Sequence, residues 1–323
     1  GDRYLASLTF RRDGSSLFGP SNRWGNFPSA SVAWRISRES FFQSDWISDL
    51  KVRASYGSLG NSEFLRPWQY YGRINPFPVA VFGPNEVEQL GAINTQLANA
   101  NLRWETKKTT NFGLDASLLN NRILITAEYF IAQTNDVLID LPISLTTGNA
   151  GGNPPVNAAS LKNTGFEFSA TYRGDATRNF KWDVTLNFTT IKNRVTSFGD
   201  TTTKYTQLGD ARTELGRSIG EWYVLKTDGI FQSQADIDAY VNKNGDRIQP
   251  WARPGDIRYV DTDGDGVLNT DKDRIYAGSP WAKFETGALF NASYKNFTLN
   301  IQLYAVVGNK LYNRPRYQID RMD

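Results

Sequence analysis

The run Asp261-x-Asp263-x-Asp265-Gly266, followed by Asn269, Asp271 and Asp273, is the sharpest chemical constellation in the chain. Carboxylates at alternate positions with glycine at the sixth supply hard oxygen ligands, the pattern of an EF-hand-type calcium loop. The twelfth position, where such a loop carries a bidentate acid, is Lys272, with Asp271 and Asp273 on either side. Two readings follow: calcium held by Asp261, Asp263, Asp265, Asp271 and Asp273, or an Asp/Gly-rich turn that binds nothing stably. Other chemistry is thin. The absence of Cys and His removes thiol nucleophiles, disulfides, imidazole acid–base catalysis and most zinc sites. Glu105, Glu128 and Glu167 resemble catalytic acids only by residue type, because nothing in the sequence sets two of them at hydrolase distance. Gly148–Pro155 is turn-rich but lacks the Lys-Ser/Thr and helix of a phosphate cradle. The aromatic run Arg66-Pro67-Trp68-Gln69-Tyr70-Tyr71 suits sugar stacking, loop packing or partner contact equally. No enzyme is expected, and no substrate residue is assigned. A charge of 36 − 33 = +3 over 323 residues also lacks the basic bias of a nucleic-acid binder.

The elements that would position these residues are strands. Phe180, Trp182, Val184, Leu186 and Phe188 alternate with Lys181, Asp183, Thr185, Asn187 and Thr189. Side chains of a strand point to opposite faces in turn, so this segment has one apolar and one polar face. The same alternation marks segments starting near Tyr4, Ala30, Leu50, Phe112, Ile123, Phe166, Phe284 and Phe297, giving about nine strands, ten at most. Tight links such as Leu118–Arg122 and Tyr294–Phe297 alternate with long ones at 13–27, 58–103, 140–160 and 197–280. In an up-and-down meander that puts every long loop at one end of the sheet. Short turns on one side and long loops on the other are the layout of an outer-membrane barrel. Aromatics cluster toward the strand ends, as in the two interfacial girdles of such barrels. No run of about 18 apolar residues suggests a membrane helix, which leaves a barrel open. The opposite face carries Lys51, Arg53, Asp115, Glu128, Glu167, Arg173, Lys181 and Asp183. So many charges cannot line a dry core and suit a wet lumen or a polar filling. Within 197–280, Ser233–Val241 reads as a short helix with a Ser cap. A soluble β-sandwich is the competing architecture.

Several stretches are similar to the SusC/RagA family of TonB-dependent outer-membrane transporters of Bacteroidetes. They are Tyr4–Ser16, Arg23–Trp34, Leu50–Asn61, Leu102–Thr106, Thr134–Leu138, Asn163–Glu167, Gly255–Tyr259 and Asp261–Val267, in the family's order along nearly the whole chain. The resemblance implies a barrel of about 22 strands occluded by an N-terminal plug. Residues 1–323 would form a later part of that wall, with 197–280 a long extracellular loop region. The plug, the first strands and the C-terminal strand would lie outside this sequence. The resemblance further implies import of oligosaccharides, or of peptides in the manner of RagAB. A SusD-like surface lipoprotein would close over the long loops, and TonB–ExbB–ExbD would supply energy through the plug. A passive porin and a secreted, calcium-stabilised glycan-binding β protein are the other expectations to be tested.

Overall fold

The structure is a computed structural model that describes residues 2–140, 143, 145–149, 152–174, 177, 179–198 and 204–320. Ala150 and Gly151 of the glycine-rich stretch lie outside these, as do three residues of the 174–179 turn. Nine long strands make one antiparallel sheet: β1 (Tyr4–Gly14), β2 (Trp24–Arg35), β3 (Ile47–Asn61), β4 (Glu105–Leu118), β5 (Ile123–Asp140), β6 (Pro155–Arg173), β7 (Phe180–Phe198), β8 (Phe284–Tyr294) and β9 (Phe297–Val307). They pair strictly in chain order, with β1 and β9 at the edges.

Register is what aligns the alternating patterns. Tyr4, Trp34, Val52, Leu114, Ala127, Phe168, Phe188, Thr286 and Ala305 stand opposite one another across all nine strands. One position along, Arg53, Gly113, Glu128, Glu167, Thr189 and Glu285 form a row on the other face. A slip of one residue in any strand would exchange its two faces, so the apolar parity fixes the pairing. The tight turns are built from left-handed backbone. Leu119, Asn120 and Asn121 have φ of 50°, 54° and 65°, and Lys295 has φ 51°. Asn tolerates that region through its short polar side chain.

The strands outrun their alternation. β5 and β6 extend to Asp140 and from Pro155, and β3 reaches Asn61, into segments the sequence pattern assigns to loops. The reason is physical: alternation is imposed only where one face is apolar, whereas backbone pairing continues beyond it. The register of β6 against β5 shifts between Asn157 and Leu161, and Asp136 is left-handed there with φ 57°, as at a bulge.

Contacts divide the chain into two units, Gly1–Lys204 with Lys283–Val307, and Tyr205–Ala282 with Gly308–Asp323. The second contains most of the segment expected as a long loop, yet it is folded. Strands Tyr205–Leu208, Ala211–Glu214, Glu221–Leu225 and Arg274–Gly278 form one sheet, and Thr227–Ile230 pairs with Ile257–Tyr259. A six-residue helix, α1 (Gln234–Ala239), carries the expected Ser233 cap. The Ser233 hydroxyl accepts the Asp236 N–H, and the Asp236 carboxylate accepts the Ser233 N–H, a complete capping box. Phe231, Ile237 and Ala252 form this unit's own core, with Tyr240 packed against it.

Candidate functional site

The first candidate surface is the wall of β1–β9. Its apolar parity is bare in this sheet: Leu8 is 85% exposed, Leu186 51% and Leu303 64%. A soluble protein would cover such a face, whereas a membrane wall leaves it to lipid. Rings gather toward its ends. Tyr172, Trp182 and Phe290 lie 5.5 and 6.4 Å apart in sequence of contact near the tight turns, and Phe188 and Phe284 are 5.5 Å apart toward the long connections. At the β2–β3 turn, Glu39 accepts hydrogen bonds from Tyr4 Oη (2.7 Å) and Trp34 Nε1 (3.0 Å). Their polar tips are thus satisfied at the water-facing rim.

The opposite face is charged and internally paired. Lys51 Nζ lies 2.9 Å from Asp115, and Arg53 spans Asp115 (3.4 Å) and Glu128 (2.5 Å). Gly113 permits this span, since a Cβ there would stand 2.6 Å from the guanidinium carbon of Arg53. Asn291 donates to Asp183 at 2.9 Å. The register places Glu167 directly opposite Glu128, the acid that Arg53 reaches, as part of a charged lining. Glu105 is employed elsewhere, accepting the Leu138 N–H at 3.3 Å. Sequence reasoning missed Phe130, an apolar residue on this polar face. Its ring lies over Gly165, where a Cβ would be 2.4 Å from the ring and from Thr190 O. The paired signal, an unexplained glycine opposite a ring, is visible only once register is known.

Two of the quoted motifs turn out to be one structure at the long-connection end. Leu102 and Leu138 are buried together with Phe18, Leu65 and Tyr70, and Trp104 packs on them. Arg103 pairs with Asp136 at 2.5 Å, and Asn157 donates to the carbonyls of both residues. In the aromatic run, Tyr70 is buried in this cluster and serves loop packing. Trp68 and Tyr71 remain exposed.

The acidic loop belongs to the second unit. Carboxylate oxygens of Asp261, Asp263 and Asp265 lie within 4.8 Å of one another; Asp271 and Asp273 do not join that group. Asp261 accepts the N–H groups of Gly264 (2.7 Å) and Gly266 (2.8 Å). Lys272 Nζ sits 3.5 Å from Asp265. Asp273 is fully buried and holds the loop from within, accepting N–H from Thr262 (2.8 Å), Asp263 (3.4 Å) and Asn269 (2.6 Å). Burial alone would raise the Asp273 pKa. The backbone donors of Asn269, Thr262 and Asp263 outweigh it and hold the carboxyl below the ordinary range. A neighbouring sheet face is braced by cation–π contacts, with Arg212 3.5 Å from the Tyr205 centroid and Arg217 3.4 Å from that of Tyr276.

A strand meander with a lipid-type face, a charged face and tight turns at one end has a counterpart among known families. Residues 1–309 match the family described as TonB dependent receptor-like, beta-barrel. The chain belongs to the TonB-dependent receptor β-barrel family. It is 32% identical over 97% of its length to TonB-dependent receptor P26 of Formosa agariphila, and 30% identical over 96% to TonB-dependent receptor SusC of Bacteroides thetaiotaomicron. These matches cover 31% and 30% of the relatives, so the chain spans about a third of the length of the curated relatives it matches. The RagAB peptide transporter superposes with a TM-score of 0.77 at 24% identity, covering 98% of this chain and 33% of that one. That likeness shows the fold. As a TonB-dependent receptor wall, the chain is an outer-membrane β-barrel segment that crosses with strands, and no described helix is long and apolar enough to cross. Membership sets aside the secreted β protein.

Proposed function

We propose that the receptor carrying this wall imports oligosaccharides across the outer membrane, driven by TonB. The observation that carries the reading is the two-faced, register-locked sheet. It gives lipid one side and an ion-paired lining the other, as an import barrel filled by a plug requires. A SusD-like surface lipoprotein is the proposed partner over the long connections, and TonB–ExbB–ExbD the proposed energy source through the plug. Peptide import is the second reading, favoured by the fold shared with the RagAB peptide transporter. A strain lacking the gene, complemented with the full-length gene, should regain uptake of one fluorescent oligosaccharide. A protonophore should abolish that uptake. Uptake of peptides alone would favour the second reading, and uptake insensitive to the protonophore would indicate a passive porin.

Calcium at Asp261, Asp263 and Asp265 is a proposal of the same kind. Three converging carboxylates supply hard oxygen ligands, while Asp273 closes the loop and Lys272 offsets charge beside Asp265. The full-length receptor should melt at a higher temperature with calcium. Asp263→Asn with Asp265→Asn should remove the difference. An unchanged melting curve in the parent would end the idea.

A further inference from the structure

We propose that Lys108, Lys162, Lys192 and Arg194 form a site on the outside of the wall for a phosphate-bearing lipid headgroup of the outer leaflet. The inference needs the membrane placement of the wall and is independent of what the receptor imports. It starts from register. Ser58, Lys108, Gln133, Lys162 and Arg194 stand opposite one another in one row across β3 to β7. Lys192 lies two residues nearer the middle of β7, opposite Thr164. All four cations are exposed. They share the apolar parity with Phe112, Tyr129 and Phe166, a row of rings four residues further toward the middle of the wall. Their alternate neighbours mark the other direction: Asn193 and Val195 are buried on the opposite face, where Asn193 donates to Asn163 at 2.6 Å.

Height along the wall places the row among headgroups. Ten residues separate Lys162 from Tyr172, one of the rings at the tight-turn end. At ~3.4 Å per residue and a strand tilt of ~40°, that is ~26 Å along the membrane normal, against an apolar band ~25 Å tall. The row therefore stands at the far edge of the band, on the side of the long connections. There the Lys and Arg stems lie along the apolar wall while their charges rise to the phosphate layer.

The chemistry of the occupant follows from charge. Over the regular alternation of β4 to β7 the outward parity carries these four cations and no carboxylate. None of the four has an ion-pair partner among the described residues. Lys162 and Arg194 are direct cross-strand neighbours, and like charges so placed are destabilising. On the inner face, by contrast, Lys51 and Arg53 meet Asp115 and Glu128. A phosphate between Lys162 and Arg194 turns repulsion into charge-assisted hydrogen bonds, with the guanidinium fork gripping two oxygens and each ammonium acting as a point charge. Lys108 and Arg194 are three strand spacings apart, ~14 Å, a span that suits a headgroup with more than one phosphate. A lipid also brings acyl chains against the Phe112, Tyr129 and Phe166 row directly below, so the site continues the lipid-facing surface. A free anion gains nothing from that row, and a soluble partner is kept from it by the membrane.

The test is native mass spectrometry of the full-length receptor in neutral detergent. It is titrated with bisphosphorylated lipid A, the same lipid stripped of both phosphates, phosphatidylcholine and inorganic phosphate. The bisphosphorylated lipid should bind about tenfold or more tightly than the stripped lipid or phosphatidylcholine. Combining Lys108→Gln, Lys162→Gln and Arg194→Gln should weaken it by about tenfold or more. Combining Lys108→Arg, Lys162→Arg and Arg194→Lys keeps the charge and controls for folding, and should stay within about threefold of the parent. Lys107→Gln, Lys243→Gln and Arg253→Gln together remove the same charge from exposed positions off this face and should bind as the parent does. Unchanged binding in the first variant would overturn the proposal, as would an equal loss in the last one. Equal binding of the stripped lipid would also overturn it. So would displacement of the lipid by an equimolar amount of inorganic phosphate, which would mark a site for free anions.

Discussion

At the residue scale, two neighbours on β7 test which face meets lipid. Leu186 is half exposed on the apolar parity, and Asn187 follows on the charged one. Leu186→Arg should cost ~2–4 kcal/mol near the middle of the membrane, and Asn187→Arg should be tolerated. Urea unfolding in lipid vesicles measures both, and equal costs would contradict lipid exposure. Asp273 makes a pH prediction. Its folded pKa lies below the unfolded value, so its contribution is fully present above about pH 3.9. The contribution falls away as pH drops through the lowered folded value. The protection of 261–273 against hydrogen exchange in the intact receptor, taken relative to the unfolded chain at each pH, should therefore fall in acid. Asp273→Asn should remove that acid dependence and leave one N–H donor unsatisfied, costing about 1–3 kcal/mol. The acids at 261, 263 and 265 were legible as a group from spacing alone. The separate task of Asp273 was not, because it depends on which way a side chain turns once the loop closes.

At the element scale, the nine strands were legible because each must present an apolar row to lipid, and alternation records that demand. Their ends were not. Past the apolar band neither face is constrained, so β5 and β6 continue on backbone pairing that leaves no trace in residue type. Gly165 is a test of the pairing. Its added Cβ would meet the Phe130 ring and the Thr190 carbonyl, both at 2.4 Å. A carbonyl in a ladder cannot step aside as a flexible side chain can. Gly165→Ala should destabilise the wall by about 1–3 kcal/mol in urea unfolding; Gly57→Ala is the control, since its Cβ would meet only Ser29 Cβ at 3.5 Å.

At the scale of the whole molecule, the direction of the meander predicts where proteases reach. Lys243 is exposed in the turn after α1, within a long connection, and Lys295 is exposed in a tight turn. Trypsin added to intact cells should cut at Lys243 and spare Lys295, and permeabilised cells should expose Lys295. Cleavage in the reverse order would invert the topology. The 197–280 segment shows where sequence reading ran out. Its strands are three to five residues long, too short for a period to declare itself. Its core needs Phe231, Ile237 and Ala252 from separate stretches.

The sequence by itself determined the fold class, the two faces and the alternation of tight and long connections, since each is a local consequence of one boundary between lipid and water. Only the tertiary structure decided what depends on residues far apart in the chain. It set Arg53 across Gly113 to reach Glu128, turned Tyr70 inward while Trp68 and Tyr71 stayed out, and closed the acidic loop on Asp273. Side-chain direction and strand register are settled by packing and pairing between segments, and no single segment carries that information.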